Sequence, residues 1–432
     1  MIKTYELKKL SNDEYIFLMK RSRLDIEKVK DKVIVVLDDV KTNGDKAIQK
    51  YTECFDGAIL DDFCVTRKEI ESAWEKIDIN LLAAMKQQIE YSKKFHKMQV
   101  RKDWKCKIEE GIVVGEKYTP IESVGLYVPG GRATYPTVLQ ILAVPAKIAG
   151  VPRIIVCTPP DKNGKISEPV LVAADLLGID EIYKIGGAQA IAAMAYGTHS
   201  IKPVKKIVGP GNIYVNCAKM LVFGVVNIDM PAGPSEALIL ADSSADPSFV
   251  AADILARCEH DPDASAVVLT DSRIFATKIK AEIKRQFSYL KRKEIMEKSL
   301  AKYSAIIISD NWEEMINFTN EYAPEHLELI VKKPWKVLSK IHNAGSIFLG
   351  KYAPVAVGDY ASGTNHVLPT SQYAKMFSPV GVETFQKKSE FQYLTKNGLR
   401  LLYPIVKELT AIEGLDAHDN SVKVRLKNET RN

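Results

Sequence analysis

Residues 125–157 read GLYVPGGRATYPTVLQILAVPAKIAGVPRIIVC. An apolar run over 125–128 passes through the turn Pro129-Gly130-Gly131 into apolar positions spaced for a helix over 136–148. Gly150 then caps that helix, and a second β-branched run follows over 154–157. Strand, glycine turn, helix and strand form the unit of a parallel sheet, because parallel neighbours need a crossover of a dozen or more residues. The turn is the first loop in the chain built to approach a ligand closely, since glycine leaves room for one.

The same beat continues outward. A helix is expected over 169–177 with Gly178 behind it, a strand over 182–185, and two further strands over 206–208 and 227–230 flanking a helix over 213–222. Two of these strands run into glycine turns ahead of a helix, Gly186-Gly187-Ala188-Gln189 and Gly209-Pro210-Gly211-Asn212. Such a turn offers backbone N–H groups to an anion, although tight strand-to-helix turns also need glycine for steric reasons alone. Gln189 and Asn212 favour ligand contact. A second α/β unit follows, with strands over 237–240, 266–269, 306–309 and 346–349, a helix ending at His260, a long basic helix to about 291 and a helix toward 322. Two such units imply a cleft lined by the loops 231–236, 323–327 and 358–366.

The first 110 residues read as helical and charged, with Thr66 and Glu69 as a capping box and Leu82, Met85 and Ile89 as one apolar face. The chain reads as helical again beyond 380. The expected fold class is therefore α/β, with two Rossmann-like, incompletely doubly wound domains and small helical N- and C-terminal extensions. The expected boundaries are an N-terminal extension 1–25, a first α/β domain 26–125 plus 237–380 carrying the catalytic loops, a second domain 126–236 for a dinucleotide, and a tail 381–432.

At 432 residues, 46% hydrophobic and 26% charged, the chain can bury a large core and divides into more than one domain. Its apolar runs stop well short of the roughly 18 residues a membrane span needs, and the N-terminus MIKTYELKKL has no hydrophobic signal core. The expected address is cytoplasmic. A net charge of +6 spread over alternating Lys/Arg and Asp/Glu argues against nucleic acid as a partner. The six cysteines are scattered without a close pair, as in a reducing compartment.

The densest reactive cluster is Arg257-Cys258-Glu259-His260-Asp261-Pro262-Asp263. If the segment from Pro247 is helical, Arg257 and His260 share a face and Pro262 ends it. In isolation this is a frayed, solvated helix end. His326, His366 and His418 lie in similarly polar, glycine- or proline-punctuated segments.

Together the segments GLYVPGGRATYP, GGAQAIAA, GPGN, DMPAGPSE, EHDPDA, APEHLEL, GDYASGTNHVLPT and LDAHDN resemble the histidinol dehydrogenase family, in order and over nearly the whole chain. The resemblance implies an NAD-dependent, zinc-containing homodimer that oxidises L-histidinol to L-histidine through L-histidinaldehyde, the last step of histidine biosynthesis. It implies His326 as general base and Glu325 as activator of the water that hydrates the aldehyde. Tyr127, Gln189 and Asn212 match positions that contact NAD. Ser235, Arg257, His260, His326, Asp359, Glu413 and His418 match the substrate site, with zinc on His260, Asp359 and His418, the last from the partner subunit. No role transfers to His366. Cys258 reads as a packed thiol rather than a nucleophile.

The resemblance breaks at Arg257, where the family usually has a glutamine metal ligand, and at Val355, where many relatives are acidic. Arginine has five donors and no acceptor, so it cannot ligate zinc. Three outcomes are open: zinc on the remaining three ligands, a paralogue in which Arg257 binds an anionic alcohol, or an impaired homologue that still binds NAD.

Overall fold

The computed structural model describes residues 2–21, 26–130 and 134–427. Gly131 of the expected ligand turn and residues 22–25 of the N-terminal extension lie outside the described residues. In chain order the strands are β1 (Lys3–Glu6), β2 (Trp104–Glu109), β3 (Ile112–Pro120), β4 (Ser123–Tyr127), β5 (Arg153–Thr158), β6 (Glu181–Lys184) and β7 (Lys206–Val208). There follow β8 (Asn227–Ile228), β9 (Glu236–Ala241), β10 (Ser265–Thr270), β11 (Ala305–Ile308), β12 (His326–Ile330), β13 (Ser346–Leu349) and β14 (Gln386–Leu394).

These strands fall into two compact units. The larger, residues 1–99 and 122–385, holds two parallel sheets, a five-stranded one in the order β6-β5-β4-β7-β8 and a six-stranded one in the order β1-β11-β10-β9-β12-β13. Each sheet is Rossmann-like, its order reversing beside a central strand, between β4 and β7 in one and between β9 and β12 in the other. The central strand β9, EALILA, is buried along its whole length. Leu238 and Leu240 pack into a layer with Met315, Phe318 and Tyr322, while Ile239 and Ala241 pack oppositely with Val250, Ile254 and Ile279. A strand covered by helices on both faces reads as a continuous apolar run, which is how it stands in the sequence.

Three expectations about the larger unit are corrected. The helices Glu27–Asn43 and Asp45–Asp56, assigned to the catalytic domain, pack on the five-stranded sheet: Val29, Val33, Val36, Leu37, Val40, Ile48 and Tyr51 share a core with Tyr127, Ile155 and Cys157. Their apolar periodicity specifies a buried face but not which sheet it meets. The N-terminal extension is not purely helical, since β1 adds a parallel edge strand to the six-stranded sheet beside β11. The long basic helix expected to about 291 ends at Phe287, and an unexpected helix, Lys293–Lys302, follows it.

The smaller unit, residues 100–121 and 386–432, is a three-stranded antiparallel sheet, β14-β3-β2, with helices Lys396–Glu413 and Asp416–Lys427. The C-terminal segment expected as helix thus begins with a nine-residue strand.

A buried charge pair fixes the glycine turn after β7. Lys219 and Asp229, each 1% exposed, form an ion pair. Lys219 Nζ also donates to the Gly209 carbonyl at 2.9 Å, and Asp229 Oδ2 accepts from the Gly209 N–H at 2.8 Å. Breaking such a pair costs far more than omitting it. Lys219→Met should lower the unfolding free energy by about 3–5 kcal/mol, with part of the loss recovered in Lys219→Met/Asp229→Asn. Wild-type stability of the single variant in a denaturant titration would remove the pair from this role.

Candidate functional site

The larger unit contains a cavity of about 590 Å³ lined by Pro129, Gly130, Pro210, Gly211 and Asn212 on one side and by Ser235, Arg257, His260, Glu325, His326 and Asp359 on the other. The first group follows the carboxyl ends of β4 and β7, where the five-stranded sheet reverses its order, the usual ligand crevice of such a sheet. The second group gathers at the amino ends of β9 and β12 and in the loops facing them.

His326 opens β12 and is 2% exposed. Its Nδ1 lies 3.1 Å from the carbonyl oxygen of Glu236. A carbonyl can only accept, so Nδ1 carries the proton and Nε2 presents a lone pair, 3.5 Å from Asp359 Oδ1. Glu325 Oε2 accepts from the Ser235 hydroxyl and from the Glu236 N–H, both at 2.8 Å, and stands 3.3 Å from His326 Nδ1. Asp359 lies on the helix Val355–Tyr360, which approaches β13 so closely that a Cβ on Gly358 would meet the Phe348 ring at 2.5 Å. That glycine brings the carboxylate to the imidazole.

Arg257 lies in the last turn of the helix Pro247–Cys258 and is 4% exposed. Its Nη1 donates to Ser235 Oγ, and its Nη2 stands 3.8 Å from Asp359 Oδ2. Two residues past the helix, in the continuing turn, His260 lines the same cavity, as the shared-face reading expected. Burial acts to raise the Asp359 carboxyl, but His326 and Arg257 outweigh it and hold the group at about 2. For His326, burial and the charge of Arg257 act downward, while Glu325 and Asp359 outweigh them and hold the imidazole above its ordinary 6.5.

Among the residues expected to contact a dinucleotide, Asn212 lines the cavity, with Oδ1 capping the helix Ile213–Val222 through the N–H groups of Tyr214 and Val215 at 3.0 and 3.1 Å. Tyr127 and Gln189 are buried and do not line the cavity. The Tyr127 hydroxyl accepts from the Gly187 N–H at 3.1 Å, whereas both amide atoms of Gln189 are buried without partners. Gly130 and Gly186 each abut Pro159, where a Cβ would come within 2.6 and 2.5 Å. Of the three expected residues only Asn212 lines the cavity, and both glycines are required by packing against Pro159.

The zinc expectation fares differently. His260 and Asp359 share the cavity, while Glu413 and His418 belong to the smaller unit, at exposed positions. Among the described residues no three His, Cys, Asp or Glu side chains converge as a metal site. More tellingly, a dication bound to Asp359 Oδ2 would stand within about 6 Å of the Arg257 guanidinium, a repulsion of roughly 5 kcal/mol or more at an effective dielectric near 20. The donor set with Arg257 in place does not suit zinc.

Sequence reasoning put His366 on a cleft loop without a role and missed Arg21 altogether. His366 lines the cavity with Nδ1 tied to the Asp359 carbonyl at 2.8 Å, and its segment, NHVLPT, was the signal. Arg21 lies behind the site, giving Nε and Nη2 to the two oxygens of Glu236 at 2.6 and 2.8 Å, and no local signal marks it.

A family profile for histidinol dehydrogenase matches residues 19–426. The histidinol dehydrogenase of Methanothermobacter thermautotrophicus is 47% identical over 410 residues, covering 95% of this chain and 96% of its own. That of Methanocaldococcus jannaschii is 48% identical over 423 residues, covering 98% of each. The crystal structure of the histidinol dehydrogenase from Elizabethkingia anophelis superposes with a TM-score of 0.95 at 40% identity, over 99% of this chain and 98% of that one.

Arg21→Met strands the buried Glu236 carboxylate, so a stability loss of about 3–5 kcal/mol is expected. Turnover should fall with it, because Glu236 positions both Glu325 and His326. A variant matching wild type in denaturant midpoint and kcat would show that the pair holds neither.

Proposed function

The chain belongs to the histidinol dehydrogenase family, and on that premise we propose that it oxidises L-histidinol to L-histidine through L-histidinaldehyde, reducing two NAD. The observation that carries this reading is His326, a buried imidazole whose protonated Nδ1 is fixed by a backbone carbonyl and whose free Nε2 faces the cavity. A general base needs that tautomer.

In the first oxidation the substrate hydroxyl gives its proton to His326 Nε2 as the carbinol hydrogen leaves as hydride. A bound nicotinamide supplies the hydride acceptor. In the second, Glu325 directs water onto the aldehyde, and the resulting hydrate is oxidised by the same pair of transfers. Ser235, Arg257, His260 and Asp359 surround the substrate. The Arg257 charge is opposed by the nearby Asp359 carboxylate, which weakens its pull on an anionic group, so no support arises for an anionic alcohol as substrate. The assembled set of Ser235, Glu325, His326 and Asp359 likewise speaks for a working enzyme.

Glu413 and His418 are proposed to reach the substrate site from a second copy of the chain. Supporting a homodimer, the helix Lys396–Glu413 exposes Leu401, Ile405, Leu409 and Ile412, a single apolar stripe. Among the described residues no helix is long and apolar enough to cross a membrane, and the cytoplasm is the proposed address.

NADH formation with L-histidinol tests the activity. Because His326 must be neutral to accept a proton and its pKa is raised, kcat/KM should climb as pH rises through a value above 6.5. A limb centred at or below 6 would contradict that assignment. His326→Asn should lower kcat by about 10²–10⁴-fold with little change in KM.

A further inference from the structure

Several buried polar atoms around the cavity have no hydrogen-bond partner among the described residues: Arg257 Nε, His326 Nε2 and Asp359 Oδ1. The guanidinium and the imidazole flank one carboxylate, Arg257 Nη2 at 3.8 Å from Asp359 Oδ2 and His326 Nε2 at 3.5 Å from Asp359 Oδ1. At 3.8 Å the Arg257 contact is an ion pair rather than a hydrogen bond, which leaves N–H capacity on Nη2 for a ligand. A donor cation and an acceptor nitrogen that meet at the same carboxylate suit a hydroxyl group lying between them.

We propose that Arg257 is the resident cation of the reaction: its guanidinium donates to the hydroxyl oxygen of the substrate alcohol, and turnover proceeds without a divalent metal. The inference rests on the dehydrogenase reading above. In the step it serves, the O–H bond breaks and its proton goes to His326 Nε2. The carbinol C–H bond breaks, its hydride passes to the nicotinamide of NAD⁺, and C–O becomes C=O. Arg257 keeps its own protons throughout and opposes the negative charge that grows on the oxygen as O–H cleavage runs ahead. The hydrate in the second oxidation presents the same kind of oxygen to the same donors.

A guanidinium is suited to this post because it stays charged at any working pH and carries its donors in a fixed plane. It contributes by being positioned before the reaction, as oxyanion donors do. Its nearness to Asp359 also gives the two charges mutual compensation, whereas a metal would place a dication beside a buried cation. Arg257 thus fills the electrostatic place that would otherwise call for zinc.

The test combines metal analysis with kinetics. Enzyme dialysed against EDTA should contain well below one zinc per chain and form NADH from L-histidinol within about twofold of the untreated rate. A loss of tenfold or more that zinc restores would overturn the proposal. Independently of turnover, equilibrium dialysis should show zinc binding at least tenfold tighter in Arg257→Gln than in wild type, and equal affinities would overturn it. This second measurement separates the two ideas: an enzyme silent on L-histidinol counts against the activity, while the zinc comparison still judges Arg257. Finally, Arg257→Ala should lose about 100-fold in kcat, the scale of one oxyanion donor, and regain part of it with millimolar guanidinium. A folded variant with wild-type kcat would refute the role.

Discussion

The pairing of Arg21 with Glu236 is the contact on which the reactive geometry depends. Arg21 gives a two-pronged bond to the carboxylate, a further bond to the Tyr322 carbonyl at 2.8 Å, and lies 3.6 Å above the Tyr322 ring. With both oxygens so held, Glu236 Oε1, which takes Arg21 Nη2, also receives the N–H groups of Glu325 and Ser371 at 3.2 and 3.1 Å. Its own backbone then faces the site, the N–H toward Glu325 Oε2 and the carbonyl toward His326 Nδ1. One buried residue therefore sets the position of the acid and the tautomer of the base. A carboxylate so deeply placed is tolerable only because the arginine fork and several N–H groups replace its water.

The two parallel sheets contribute opposite ends to the cavity. The five-stranded sheet obeys the general rule for open α/β sheets, offering the carboxyl ends of β4 and β7 at its switch point. The six-stranded sheet offers the amino ends of β9 and β12, adjacent strands whose first residues are Glu236 and His326. Parallel register places those residues side by side: His326 pairs with Ala237, so Glu236 stands one position away. Reactive groups at strand starts inherit the rigidity of a sheet whose next residues are fully buried, which suits chemistry that tolerates little positional error.

That contrast explains what was legible in the sequence. The strands 206–208 and 346–349 fall where β-branched runs are bounded by turn residues, and the structure places them at those positions. The loops 231–236, 323–327 and 358–366 were legible because reactive side chains crowd among glycines and prolines, and residues from each line the cavity. Partners distant in sequence were not legible. Arg21 sits at the end of a charged helix and reads as surface, since nothing local points to a carboxylate 215 residues away. The strand Gln386–Leu394, largely exposed along its length, lacks the buried face that betrays a strand, and only its pairing with β3 defines it. Arg257 was legible as a departure, but its meaning depends on Asp359 and Ser235, which only the fold brings near.

The ionisable groups around His326 set both its protonation and the kind of substrate the cavity attracts. Glu328, two residues beyond His326 on β12 and 1% exposed, is held well above the carboxylate range by burial and then by the neighbouring Asp253. Both influences oppose its charged form behind the site. Nearest the base, Glu325 and Asp359 are held in the ionised form, two carboxylates against the single positive charge of Arg257. That surplus is why His326 rises above its ordinary value even though Arg257 opposes it. It also favours a substrate arriving as a cation, as an amino alcohol does below the pKa of its amine. A dication in addition to Arg257 would outweigh those two carboxylates and oppose the approach of an ammonium group.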